Sequence, residues 1–451
     1  MRAPALEELT ARAVRLALDA GATEAECTAS EGAEFSATVR MREVESVKEA
    51  GSRGLGVRIL KGRRTGSAFT SDLSAEGIRN MVRAAVENAS ITTDDPNAGL
   101  PEPEELGSLQ GGLDLYHDDV PALEAPFKIA QATEAEGAAL AHDPRIANSE
   151  GGVYETHVTS RAFSNSRGFT GSYSATRCWL SASPVASDGG SMERDYWFTM
   201  ARTSRALESP ADVGKKAAER ALRRLNAKKI ATQTAPVIFE PRTARTLLGH
   251  IFEAVEGDAV YRNASFLAGR IGEKIASGNV TVIDDGTLPG LFGTSPFDDE
   301  GVPSRRTVVV ERGVLKSYLL NSYTARKLGL KTTGNASRGL SGNAGVGHGN
   351  LFLEAGDLPP ADILRRYGKA LFVTELLGFG VNIVTGDYSR GAAGLWIENG
   401  EAAQAVSEVT IAGNLKQMLM DMEFIGADLE FLGSVAAPTV AIHEMTISGN
   451  G

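Results

Sequence analysis

The stretch LWIENGEAAQAV, residues 395–406, reads as two strands joined by the strongest turn signal in the chain, Asn399-Gly400. Asn and Gly tolerate the positive φ angles of a type I′ hairpin turn, whose twist matches its flanking strands. Outward from it, VTVIDDG (280–286) and TVVVERGVLKSYLL (307–320), which turns at Glu311-Arg312-Gly313, add further hairpin-like runs. Helical spacing interrupts them at Thr243–Val255, Ser322–Leu328, Ala361–Leu371 and Asn414–Met422. Residues 236–451 are expected to form a strand-rich C-terminal domain.

The N-terminal half reads as two helix–sheet–helix blocks in series. In residues 1–92, Leu6, Leu9, Ala13, Leu16 and Ala17 keep a helical stripe that Gly21 ends. Phe35, Ala37, Val39 and Met41 alternate as a strand does, and Leu55, Val57 and Ile59 resume the pattern after a turn expected at SRGLG (52–56). Arg63, Arg64 and Gly66 fall in the next turn. Ser74 is placed to cap a helix with the face Ile78, Met81, Val82, Ala85 and Ala89. DDPNAGLPEPEELG (94–107) can continue neither helix nor strand and marks a boundary.

In residues 110–226 a helix from about Ala122 to Ala141 precedes strand-like runs from Ile146 to Ala201. Turns are expected there at Gly151-Gly152, Arg167-Gly168 and Asp188-Gly189-Gly190. Ser209-Pro210-Ala211-Asp212 opens a closing helix with a cap, a proline at the first helical position and an acid in the first turn. NAKKIATQTAP (226–236) reads as a linker. The fold class is α+β.

The 451 residues hold 46 Lys and Arg against 57 Asp and Glu, a net charge of −11. That balance argues against a broad grip on nucleic acid, which needs cations to neutralise phosphates. A hydrophobic fraction of 42% with 23% charged residues excludes a wholly disordered chain. No apolar stretch approaches the ~20 residues that span a bilayer, so no membrane contact is expected. The acids inside the N-terminal apolar pattern fit an amphipathic helix and not a signal peptide. Two cysteines, Cys27 and Cys178, cannot build a disulfide framework or a four-thiolate zinc site. A cytoplasmic location is the expectation.

Phosphate-loop, HExxH, GxSxG and CxxC motifs are all missing from the sequence. The candidate site is PRTARTLLGHIFEAVEGD (241–258), where His250 and Glu253 share a helix face one turn apart. Imidazole and carboxylate at that spacing are metal donors, but a catalytic zinc takes three protein ligands and a structural one four. Asp284-Asp285-Gly286 reads as a turn and FDDEG (297–301) as an exposed loop. TGDYSRG (385–391) is dense in hydrogen-bonding groups, and Asp387, Tyr388 and Arg390 are candidates to line a peptide groove.

Several strings together resemble the TldD/PmbA family. ESVKEAGSRGLGVRILKGRRTGSAFTSDLS (45–74) is similar to that family's opening domain. YRNASFLAGRIGEKIASGNVTVIDDGTLPG (261–290), SPFDDEGVPSRR (295–306) and LLNSYTARKLGLKTTGNA (319–336) resemble its C-terminal domain. VTELLGFGVNIVTGDYSRGAAGLWIENGE (373–401) with VSEVTIAGNL (406–415) is most similar to the PmbA, or TldE, branch.

In the family, TldD is a zinc peptidase whose helix carries His-Glu-x-x-x-His, completed by a cysteine near the C-terminus. Anchored on Glu256-Gly257-Asp258, the two histidine positions fall on Leu248 and Glu253, the glutamate position on Gly249, and the cysteine position near Phe424. None of the three ligands is kept in kind. The resemblance therefore implies a non-catalytic subunit without a cofactor of its own. Its expected partners are a TldD-like zinc peptidase, which carries the zinc, and unfolded peptide substrates. Self-association into an oligomer is also implied by the family. Two alternatives stand beside it. One is a metallopeptidase active alone through His250 and Glu253, with Asp298 or His348 completing the shell. The other is a regulatory protein-binding module of the gyrase-modulator type.

Overall fold

The computed structural model describes residues 3–107, 109 and 111–449. The expected domain limits at residues 1, 110 and 451 lie outside the described residues. The chain opens with helix α1 (Ala3–Asp19), strands β1 (Glu24–Arg40), β2 (Glu43–Lys61) and β3 (Arg64–Thr70), and helix α2 (Ala75–Ile91). Ser74 caps α2, its side chain accepting from the Gly77 N–H at 3.1 Å. After a proline-rich connection come α3 (Asp119–Ala122), α4 (Ala125–His142), β4 (Ile146–Asn165), β5 (Thr170–Asp188), β6 (Ser191–Arg194), β7 (Trp197–Ala201) and α5 (Pro210–Leu222). Ser209 caps α5 through the Asp212 N–H at 3.1 Å.

These two stretches share one sheet. Strands β3-β2-β1-β4-β5-β6 follow one another, β7 pairs with β5, and the seam is the antiparallel β1–β4 pair. Helices cover one face. Ala25, Cys27, Ala29, Leu55, Val57 and Ile59 pack with α1 and α2, while Tyr154, Leu180 and Ala182 pack with α4 and α5. Since side chains alternate across a strand, the other face is left with the intervening, mostly polar positions.

The C-terminal part holds β8 (Gln233–Phe239), α6 (Pro241–Val255), α7 (Gly257–Tyr261), β9 (Val282–Asp285), β10 (Arg306–Glu311), β11 (Val314–Leu315) and α8 (Ser322–Leu328). There follow β12 (Ala336–Ser337), β13 (Gly345–Val346), β14 (Asn350–Leu353), α9 (Pro360–Leu364), β15 (Lys369–Leu377), β16 (Asp387–Glu398) and β17 (Glu401–Asn414). Helix α10 (Leu415–Met420) and β18 (Met422–Ile425), β19 (Val435–Ala436) and β20 (Val440–Ser448) end it. Strands β17-β16-β15-β8-β20-β18 form one sheet, and a further β17–β20 pairing closes β17, β16, β15, β8 and β20 into a circuit. A second sheet runs β11-β10-β9-β14-β19. The largest hydrophobic core lies between them and takes in Leu247, Leu248 and Ile251 of α6. Asn399 and Gly400, at φ 51° and 83°, make the expected hairpin turn between β16 and β17.

Three local expectations fail, for related reasons. SRGLG is not a turn: β2 runs straight through it. Its glycines admit a loop, since a Cβ on Gly56 would sit 1.5 Å from the Leu340 carbonyl oxygen. Gly151-Gly152 likewise lies inside β4, at a register shift where α4 presses on the strand. A Cβ on Gly152 would stand 2.2 Å from the Ala132 carbonyl oxygen. The helix expected over Ala361–Leu371 ends at Leu364, and Lys369 begins β15. Leu371 and Val373 face the main core while Ala370 and Phe372 face a smaller one. A strand buried on both faces shows no period of two, so its apolar run has the sequence pattern of a buried helix.

Candidate functional site

Helix α6 starts at Pro241, whose missing N–H costs nothing at that position. Glu240 before it caps nothing with its side chain. Its carboxylate instead receives Arg220 at 2.6 and 3.3 Å and Arg223 at 3.0 Å from α5, tying the helix to the first sheet's cover. The apolar face of α6 is buried, and the opposite edge carries His250 and Glu253. His250 Nδ1 lies 3.4 Å from Glu253 Oε2, while Nε2 is buried with no hydrogen-bond partner. Burial pushes the His250 pKa down, against the opposing pull of Glu253. The imidazole is therefore held toward its neutral form.

Tyr388 stands edge-on to His250, ring centroids 6.1 Å apart. Tyr388 is buried, its hydroxyl has no partner, and burial drives its pKa up. Arg390 follows on the same side of β16, with a buried Nε that also lacks a partner. Two candidate groups that are far apart in sequence thus meet. Asp387 does not join them. It is exposed, hydrogen-bonded to Thr385 Oγ1 at 2.6 Å and Asn414 Nδ2 at 3.2 Å, and the Thr385 and Asn414 bonds hold its carboxyl below the usual range. The reason is the strand period: residues 387–391 belong to β16 and not to a loop, so Asp387 and Ser389 face away from Tyr388 and Arg390.

The family's zinc positions can be tested against these neighbours. Leu248 is a core residue at 2% exposure, and a Cβ on Gly249 would meet open space. Phe424 packs against the Tyr367 ring at 6.1 Å in a cluster separate from the one α6 joins. Asp298 spends both oxygens on backbone N–H groups, of Glu300 and Val302 at 2.9 Å each and of Ala336 at 2.9 Å. His348 Nδ1 lies 2.9 Å from the Gly349 carbonyl oxygen and its ring packs on Phe252. Among the described residues no three His, Cys, Asp or Glu side chains gather in a metal-holding group. Leu248 and Gly249 carry no side-chain donor and Glu253 alone offers one, so the residues present do not fit a catalytic zinc centre.

The acidic strings are not the surface features expected of them. Asp284 and Asp285 are buried at the end of β9, and Asp298 and Glu300 are buried as well. Burial pushes the carboxyls of Asp284, Asp298 and Glu300 upward. Asp284 accepts from Asn335 Nδ2 at 2.7 Å through one oxygen, and its other oxygen has no hydrogen-bond partner. A cavity of about 160 Å³ opens here, bordered by Asp284, His348 and Arg305 on one side and by Arg161 and Tyr173 of the first sheet on the other. Arg161 reaches Asp299 at 2.9 Å across that seam. Arg161, Tyr173 and Arg177 carry a sequence signal that the motifs do not, polar residues at alternate positions of β4 and β5; Arg202, just past β7, carries none.

Models of the PmbA/TldA metallopeptidase domains match the chain in three pieces: domain 1 over residues 25–89, the central domain over 118–225 and the C-terminal domain over 232–449. Metalloprotease PmbA of Escherichia coli O157:H7 is 40% identical over 446 residues, 98% of this chain and 96% of that one. A crystal structure from Bacteroides thetaiotaomicron, described as a candidate modulator of DNA gyrase, superposes with a TM-score of 0.91 at 27% identity, covering 98% of this chain and 99% of that one. TldE from Thermococcus kodakarensis shares the fold, with a TM-score of 0.87 at 22% identity over 97% and 99% of the two chains.

Proposed function

This chain belongs to the PmbA/TldD metallopeptidase family, and we propose that within it the chain is a PmbA/TldE-type subunit that performs no bond cleavage itself. The observation that carries this reading is the donor set of α6: Leu248, Gly249 and Glu253 stand where a zinc peptidase needs histidine, glutamate and histidine. The partner is a TldD-like zinc subunit, in line with the shared fold of TldE. Unfolded peptides are the substrates of the assembly, in a cytoplasmic setting. Tyr388 and Arg390, with His250, offer buried polar groups beside α6 that could face a passing peptide.

The test is metal analysis of the purified chain together with peptidase assays with and without a TldD-like subunit. The expected outcome is no stoichiometric zinc and activity only in the mixture. Stoichiometric zinc with chelator-sensitive cleavage by the chain alone, abolished in His250→Ala, would establish the self-sufficient peptidase instead. The gyrase-modulator reading is favoured by the description carried by the Bacteroides thetaiotaomicron structure. With a net charge of −11 it would need a protein target and not DNA.

A further inference from the structure

The face of the first sheet that the helices leave free is polar and grooved. On it β4 presents Glu155, His157, Thr159 and Arg161, opposite Trp179, Arg177, Ala175 and Tyr173 of β5. Three cavities lie along this face. One of about 170 Å³, bordered by Glu34 and Gly51, shares His157 and Thr159 with a second of about 440 Å³. The next same-face residues, Arg161 and Tyr173, border the 160 Å³ cavity beside Asp284. Same-face neighbours on a strand are ~7 Å apart, so the three form one track suited to an extended chain.

The middle cavity differs from its neighbours in charge. Arg177 and Arg202 border it, with His157, Phe292 and Ser434, and no carboxylate does. Among the described residues the Arg177 side chain makes no ion pair or hydrogen bond, and its Nε is buried. Arg202 donates to two backbone carbonyls, Thr176 at 3.2 Å and Leu291 at 2.9 Å, and lies over the Phe292 ring at 5.0 Å. Its Nε too is buried and unpartnered. Burial and the charge of Arg177 both act against the Arg202 cation, so the two guanidiniums are close enough to repel. The nearest acids are turned elsewhere. Glu155 and Glu34 each lie 3.8 Å from His157, and Glu155 is held below the usual carboxylate range chiefly by that imidazole, with a smaller contribution from Arg177. Two half-buried guanidiniums kept together without a carboxylate between them lack what usually accompanies such groups, an oxyanion that accepts from their planar donor forks.

We propose that this cavity is a carboxylate subsite in the middle of a peptide track, holding an acidic side chain or the terminal carboxylate of an extended peptide between Arg177 and Arg202. Glu34 borders one end of the track and Asp284 and Asp299 the other, so a carboxylate on an extended chain is best placed at the middle. The inference rests on the reading of the chain as a peptide-handling subunit.

Fluorescence anisotropy with the full chain tests it, using dye-labelled hexapeptides of Ala and Ser that carry a central Glu or a central Gln, both amidated at the C-terminus. A third peptide combines the Gln with a free C-terminus. The Glu peptide is expected to bind about tenfold tighter than the amidated Gln peptide, and Arg177→Gln should erase that difference while leaving Gln-peptide binding and the thermal midpoint unchanged. Arg202→Lys, which keeps the charge and loses the planar fork, should weaken Glu-peptide binding less than Arg177→Gln does. Tight binding of the free-terminus peptide, lost in Arg177→Gln, would assign the subsite to a chain end and supports the pocket equally. Equal affinity for Glu and Gln peptides overturns the subsite but leaves the peptide-handling reading in place. Failure of every peptide to bind overturns both.

Discussion

Two groups of arginines in this molecule meet opposite circumstances. At the joins between the first sheet and the C-terminal part, arginines surround a buried carboxylate: Arg58 and Arg338 share Glu26, and Arg220 and the half-buried Arg223 share Glu240. On the free face of the sheet, Arg177 and Arg202 have no carboxylate between them, and beside α6 Arg390 has none either. The residue type is the same. The first group holds the fold together, because a charge removed from water must be paired to be tolerated. The second stays near solvent, where being unpaired is tolerable, and so remains open to a ligand. Which arginine is structural is thus decided by its burial together with the carboxylate that burial requires.

The contrast can be broken most forcefully at Glu240. Glu240→Ala leaves Arg223 without a carboxylate and Arg220 with Asp195 alone, at 3.3 Å, and the expected loss is about 3 kcal/mol, read as a drop in the denaturation midpoint. A loss below about 1 kcal/mol would place Glu240 with the weak surface pairs. Next in size is Gly56→Ala. The new methyl group would meet the Leu340 backbone and lift the loop that carries Arg338 away from Glu26, at about 1–3 kcal/mol, visible as faster hydrogen exchange over residues 336–344.

Asp284→Asn probes a single buried acid whose carboxyl is raised by burial. A raised carboxyl pKa means the folded protein binds the proton more tightly than the unfolded chain. Stability therefore falls as pH rises from the ordinary carboxylate value, ~4, toward the raised one. The variant keeps an acceptor for Asn335 and lacks the charge. Its thermal midpoint should fall less steeply with pH over that window, and a slope identical to the parent's would refute the assignment. The smallest effect on stability is expected from Arg177→Gln, within about 0.5 kcal/mol, because this guanidinium has no structural bond to lose. A large loss there would move Arg177 into the first group and remove its availability to a ligand.

The helical stripes, the Ser74 and Ser209 caps and the Asn399-Gly400 hairpin were legible because each depends on neighbours within a few residues. The failures involve contact between distant segments. SRGLG looked like a turn because glycine's missing side chain serves tight turns and close packing alike, and only the position of Leu340 separates the two. That the two N-terminal blocks join into one sheet was likewise illegible, because nothing in either one encodes an edge-to-edge pairing of β1 with β4.

The site divides along the same line. His250 and Glu253 could be paired from their spacing on one helix, and Tyr388 and Arg390 could be singled out by type. That the two sets meet, while Asp387 points away, follows from the pleat of β16 and the packing of α6 against the closed sheet. Local chemistry, fixed by which atoms each side chain carries, was determined by the sequence alone. The tertiary structure decided which charges find partners, because that depends on distances between separate elements, from Arg220 and Glu240 20 residues apart to Arg338 and Glu26 312 residues apart, set by the packing of the whole core.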